Sequence, residues 1–271
     1  MKKILIFSCI ATMFACGPST PITPSTQQTT DSILEAKVDS ILQEKMEEYY
    51  ATNGQIIIMD LHKNEVIANV GEGQKHPSFL LNLKALNQAL EENKIRITDT
   101  VDTEKGVFCY KDQIIRDHNW RSGGYGQIDL KRAIMFNSKI GVIKALDSAG
   151  FEIVDSLATP LEILSTYTSV LGNDSLRSAF RSAVTNGLSR KAASENVEVA
   201  GLINTNQLNE GAPSDSIIAY MDFCGHFPAE APQYSIIVSL KKTGTPASGV
   251  FSSTLFKEVV DYMTTRQEKE I

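Results

Sequence analysis

"GQIIIMDLHKNEVIANV", residues 54–70, decides how the rest of the chain is read. Two short β-prone runs flank His62-Lys63-Asn64, a pattern that predicts a hairpin with Lys63 and Asn64 in the turn. Three more strand-length apolar runs lie at the other end of the chain: "VEVAGLINT" (197–205), "SIIAYMDFCG" (216–225) and "QYSIIVSL" (233–240). Between the two sets the apolar spacing is helical. Leu80 to Asn93 reads as one helix. "QIDLKRAIMFNSKIGVIKALDSAG" (127–150) reads as another, with Asp129 near its start and Gly150 as its stop, and "TPLEILSTYTSVLG" (159–172) as a third, with Pro160 in its first turn. An amphipathic helix opens at Ser32, with Glu35 completing a capping box and Leu34, Val38, Ile41, Leu42 and Met46 on one face, and a closing helix runs from about Ser252 to Arg266. Strands at both ends with helices between them imply a single α+β domain over 32–267, its terminal strands meeting in one sheet, with 268–271 as a tail.

Composition narrows the function. The 271 residues are 42% hydrophobic and 21% charged, ordinary for a globular protein, and the net charge of −6 argues against a nucleic-acid partner. Four His and four Cys are scattered without metal-ligand spacing, so neither a metal nor another cofactor is expected. Lys2 and Lys3 precede the apolar run Ile4 to Ala15, too short to span a bilayer, and residues 1–15 read as an export signal. "MFAC" at the end of that run resembles a bacterial lipoprotein cleavage box with Cys16 as the lipidated residue, although Met13 and Phe14 depart from the usual pattern; ordinary secretion is the alternative. The stretch up to residue 31, rich in Pro, Ser and Thr and nearly uncharged, reads as a flexible tether. Cys9 leaves with the signal, and Cys109 and Cys224 are expected to be unpaired buried thiols.

Lys242-Thr243-Gly244, in "SLKKTGTP" (239–246), matches one of three marks of the serine enzymes that act on penicillin and peptidoglycan. Segment order tests it. "ITDTVDTEKGVFCYKDQIIRDHNWRSGGYGQIDLKRAI" (97–134), "TPLEILSTYTSVL" (159–171), "LRSAFRSAVTNGLSRKAASENVEVAG" (176–201), "FCGHFPAEAPQYSIIVSL" (223–240) and "LFKEVVDYM" (255–263) follow the opening hairpin in one order. That order resembles the transpeptidase domain of class B penicillin-binding proteins, the septal cell-division type in particular, from Gly54 to Met263. The resemblance implies a serine β-lactamase/transpeptidase-like fold, a mainly antiparallel five-stranded sheet with helices on both faces.

The resemblance also implies where catalytic residues would stand. In the family a Ser opening a helix attacks the acyl donor, a Lys three residues on shares its helical face and takes the proton, a Ser-x-Asn relays it, and Lys-Thr-Gly on a strand binds the substrate carboxylate. Laid over "HPSFLLNLKALNQALEE" (76–92), the nucleophile position is Phe79 and the base position Asn82. The Ser-x-Asn positions are Asn137, Ser138 and Lys139, and the triplet positions are Leu202, Ile203 and Asn204, with only Thr205 retained after them. Shifting the first motif by one substitutes Ser78 and Leu81, which restores no base, and Lys84 reads as a solvated lysine. Two tracts that wall the family's cleft are short here, at "DSAGFEIVDSLA" (147–158) and "LGNDS" (171–175).

The expectation is therefore a transpeptidase-like envelope lipoprotein without catalytic residues. It would be held to a membrane by a lipid anchor, face the periplasm, and bind peptidoglycan or cell-division and cell-wall synthesis proteins. The alternative is a residual serine acyltransferase or hydrolase in which Ser78 or Ser138 is served by Lys139 or Lys84. His62, His76, His118 and His226 read as solvated or hydrogen-bonded, and Asp117, Asn119, Trp120 and Tyr125 as a structural loop. Lys242 lies one strand pair too late to be catalytic and is expected on a solvated edge, remote from Leu202, Phe79 and Ser138.

Overall fold

Asp60 closes the first hairpin: its Oδ1 accepts the backbone N–H groups of His62 (3.0 Å) and Lys63 (3.1 Å), while Asn64 takes the left-handed conformation at φ +55°. The computed structural model describes residues 32–208, 213 and 215–269. The expected export signal, Cys16 and the tether lie outside the described residues. In chain order come α1 (Ser32–Tyr49), β1 (Asn53–Asp60), β2 (Glu65–Gly71), β3 (His76–Pro77) and α2 (Leu83–Glu91). A middle region follows with β4 (Thr100–Asp102), β5 (Val107–Tyr110), β6 (Gln113–Arg116), β7 (Gln127–Asp129), α3 (Leu130–Met135) and α4 (Lys139–Ser148). The last part holds β8 (Leu157–Ala158), α5 (Pro160–Ser169), α6 (Asp174–Thr185), β9 (Ala200–Leu208), β10 (Ile218–Phe227), β11 (Tyr234–Thr243) and α7 (Gly249–Lys269).

The two ends of the chain meet as expected. The main sheet runs β2-β1-β11-β10-β9, with the pairs β1–β2, β1–β11, β10–β11 and β9–β10 all antiparallel. Alternation along the strands divides the core into two layers. Ile57, Ile237, Cys224 and Leu202 stand in register on one face and pack with α2 to α6; Ile56, Ile58, Val238 and Phe223 point to the other, against α1 and α7.

Several local expectations are corrected. The helix over 127–150 is two helices, because Asn137 turns left-handed at φ +48° and Ser138 Oγ accepts the Gly141 N–H at 3.0 Å as the N-cap of α4. Leu80 to Asn93 opens with a 3-10 turn, Phe79–Asn82, before α2 begins. Glu35 Oε1 also ties α1 to β2, a contact the sequence does not predict, by accepting the Asn69 N–H at 3.1 Å. Helix α6, capped by Asn173, is absent from the sequence reading although its spacing buries Leu176, Ala179, Phe180 and Ala183 on one face. Cys109 is exposed rather than buried, because it sits on the outer face of the β5–β6 hairpin, while Cys224 is buried. Lys242 is also corrected: β11 is central, and Lys242 is 5% exposed, its Nζ donating to the Tyr49 carbonyl at 2.6 Å.

Candidate functional site

Four of the positions the family alignment singles out converge in space. Phe79, Asn82, Asn137 and Leu202 line a single cavity of about 20 Å³, walled otherwise by apolar side chains such as Leu86 and Ala133. That is room for one water. Lys242 lies on the opposite face of the sheet from Leu202, toward α1 and α7, as its contacts with Tyr49, Tyr50 and Phe251 show.

Each position is held by a bond suited to structure. Asn82 Nδ2 donates to the carbonyls of Phe79 and Val154, both at 3.1 Å, and its Oδ1 accepts the Val154 N–H at 2.7 Å. This clips the 3-10 turn to the loop before β8. Asn204 Oδ1 accepts the Phe79 N–H at 3.3 Å, and its Nδ2 donates to Asp222 at 2.9 Å. A backbone N–H at the start of a helix could polarise a substrate carbonyl; here it is occupied. Ile203 points the other way, toward Gly249, and Thr205 faces the same side.

The three Ser-x-Asn positions diverge. Asn137 borders the small cavity, Lys139 borders a neighbouring one, and Ser138 is fully buried, its Oγ donating to Asp117 Oδ2 at 2.5 Å. Asp117 Oδ1 also accepts the Ile140 N–H at 3.2 Å. Burial pushes the Asp117 carboxyl above its ordinary range, against the lowering effect of these bonds. Burial likewise lifts the nearby Tyr125 hydroxyl to about 12 and pulls His118 down; the two side chains are 3.0 Å apart.

Ser78, Phe79, Lys139 and Asn206 border the second, larger cavity of about 250 Å³, between the 3-10 turn and the β5–β6 hairpin. Ser78 Oγ is buried with no hydrogen-bond partner among the described residues, and Lys84 is exposed. Neither Ser78 nor Ser138 therefore meets a Lys or His, and the relocated-nucleophile alternative has no geometry to support it.

Sequence reasoning missed the polar row beneath the site. His76 Nε2 lies 3.0 and 2.9 Å from the two Asp222 oxygens, and Nδ1 lies 2.8 Å from the Gln74 carbonyl. Both ring nitrogens face acceptors, so the ring is an imidazolium. Burial lowers the His76 pKa, but the bond and charge of Asp222 and the Gln74 carbonyl outweigh it, and the net shift is upward. Ser239 Oγ completes the Asp222 shell at 2.7 Å. The available signal was polar residues at core-facing positions of apolar strands.

Comparison with known proteins places this architecture. No protein-family profile matches the chain, and no curated protein matches it. Solved structures do. The transpeptidase domain of Burkholderia pseudomallei penicillin-binding protein 3 superposes with a TM-score of 0.73 at 16% identity, covering 90% of this chain and 98% of that one. A peptidoglycan glycosyltransferase from Burkholderia ambifaria gives 0.73 at 15% identity over 89% and 98%, and Mycobacterium tuberculosis penicillin-binding protein 3 with aztreonam gives 0.74 at 13% over 89% and 78%. The chain has the fold of a penicillin-binding-protein transpeptidase domain.

Proposed function

We propose that this is a transpeptidase-like envelope lipoprotein that does not acylate and acts by binding, as a scaffold partner of peptidoglycan-synthesis or cell-division proteins. The bond from the Phe79 N–H to Asn204 Oδ1 carries the reading. It joins the position of the nucleophile to the position of the substrate-admitting glycine, and in the larger cavity beside Phe79 the Ser78 hydroxyl meets no base. In this reading Cys16 bears the lipid and the domain faces the periplasm.

The test has three arms. Purified protein incubated with a fluorescent penicillin stays unlabelled beside an active transpeptidase; covalent labelling overturns the inactivity. Pull-down from cross-linked cells recovers division or peptidoglycan-synthesis proteins; recovery of unrelated envelope proteins alone overturns the scaffold role. Metabolic labelling with a palmitate analogue marks the parent and not C16A; equal labelling of both overturns the anchor.

A further inference from the structure

The hairpin β5–β6 is a two-stranded sheet separate from the main one, and its two faces differ. The register pairs Phe108 with Ile115 and Tyr110 with Gln113 on the inner face. There Lys144 Nζ lies 4.5 Å from the Phe108 ring centre, and the Tyr110 hydroxyl reaches Asp147 at 3.4 Å, so this face rests on α4. Val107 pairs with Arg116 and Cys109 with Ile114 on the outer face. Val107 is 37% exposed, Ile114 59% and the neighbouring Trp120 39%. The Arg116 and Arg121 guanidinium carbons lie 5.5 and 5.1 Å from the Trp120 ring centre.

The outer face is held in shape from below. Asp117 N–H donates to the Gly106 carbonyl at 3.0 Å, and a Cβ at Gly124 would come within 2.2 Å of the Gly106 nitrogen, so the tryptophan loop is pressed onto the start of the hairpin. Its charge runs against that of the chain. The whole protein carries −6, yet residues 104–121 sum to +1, with Lys105, Lys111, Arg116 and Arg121 at the surface against the exposed Glu104 and Asp112 and the buried Asp117, and the Glu104 carboxylate is engaged by Lys144 at 2.5 Å. Exposed aliphatic tips, an indole and surrounding cations together form the amphipathic combination that settles at a lipid–water interface, where anionic headgroups attract the cations and the apolar tips leave water.

We propose that the outer face of the β5–β6 hairpin, with the Trp120 loop, docks on an anionic lipid surface through Val107, Ile114, Trp120, Arg116 and Arg121. The occupant is the bilayer, on the ground of charge complementarity. A uniformly acidic protein would be repelled from an anionic surface, and this patch reverses the local sign and so sets the orientation in which the domain approaches. The inference goes beyond the proposed scaffold role and is independent of it, since the outer face borders neither cavity of the vacated site.

Trp120 is the chain's only tryptophan, so its emission reports this patch alone. The full chain is mixed with phosphatidylglycerol or phosphatidylcholine vesicles whose acyl chains are brominated near the headgroup. With phosphatidylglycerol the emission moves to shorter wavelength and is quenched several-fold more strongly than with phosphatidylcholine, and high salt reverses most of the difference. R116Q/R121Q removes the lipid preference while the circular dichroism is unchanged; V107S/I114S, which keeps every charge, weakens the quenching. Equal quenching by both lipids, an unresponsive indole, or parent-like quenching in R116Q/R121Q overturns the proposal. So does an emission shift produced by polyglutamate but not by vesicles, which would assign the patch to an acidic protein.

Discussion

Asn204 and Phe79 are joined side chain to backbone, Oδ1 accepting the N–H at 3.3 Å, which ties β9 to the 3-10 turn ahead of α2. Glycine at 204 would leave a gap there; asparagine fills it and reaches both neighbours, since its Nδ2 bonds Asp222. Asn204→Ala strands the Phe79 N–H and takes one donor from a buried carboxylate. The expected cost is about 2 kcal/mol, read as a lowered urea midpoint with unchanged m-value. A loss below about 0.5 kcal/mol would mean that the closure is not held by this bond.

Under the proposed inactivity, restoring one motif is expected to leave the protein without acylation. Phe79→Ser with Asn82→Lys places a hydroxyl and an amine on one helical turn, yet the rest of the site still presents Asn137, Leu202 and Asn204, and Asn82 no longer clips Val154. The double variant is expected to remain unlabelled by fluorescent penicillin and to unfold at lower denaturant than the parent. Stoichiometric labelling would show that the other two motifs are dispensable here.

His76 makes stability fall on the alkaline side. Its folded-state pKa lies above the ordinary 6.5, so the stabilisation from protonated His76 is whole below pH 6.5 and is lost as pH rises through the folded value. Subtracting the pH–stability curve of His76→Gln from that of the parent isolates this decline. Asp222→Asn breaks the buried pair and is expected to cost about 3–5 kcal/mol. A difference curve that rises with pH would contradict the imidazolium assignment.

His226, at the far end of β10, has the opposite sign. Its Nε2 faces the Ala229 carbonyl at 3.2 Å and so carries the proton, while Nδ1 accepts from the Tyr167 hydroxyl at 2.7 Å. Burial pushes its pKa down to about 4. The unfolded chain takes up a proton below about pH 6.5 that the folded chain refuses, so stability is full above that value and falls progressively toward pH 4, by about 3 kcal/mol from this group. In His226→Phe the acid-side loss is smaller by that amount, as thermal or urea midpoints at pH 4.5 and 7.5 would show; parallel curves would exclude His226 as the source.

The strands were legible because alternation has a short period and each pairing partner carries the same signal: Ile57 and Ile237 match across β1 and β11 although 180 positions separate them. Segment order grouped Phe79, Asn137 and Leu202 without any contact information, and the three line one small cavity. The break at Asn137-Ser138 was not read, because apolar spacing continues through it and only the buried Asp117, 21 positions upstream, makes the cap there preferable to helix. Lys242 was misread for a related reason. A lysine beside Gly and Pro suggests an exposed strand end, yet the Tyr49 carbonyl left open at the end of α1 offers the ammonium a partner inside.

Asp117 and Ser138 form the one buried side-chain pair that organises the second motif, and their coupling is measurable. Ser138→Ala removes the N-cap of α4 and one donor to Asp117, an expected cost of about 1–2 kcal/mol. Asp117→Ala does more damage, because the Ser138 hydroxyl and the Ile140 N–H lose their acceptor together; about 3 kcal/mol is expected. Once the carboxylate is gone, the Ser138 hydroxyl has no buried acceptor to satisfy, so deleting it as well costs only the α4 cap. The double variant should therefore lose about 1 kcal/mol less than the sum of the single losses. Additive losses in urea would mean that the two residues act separately, and that Asp117 holds the loop through the backbone of α4 alone.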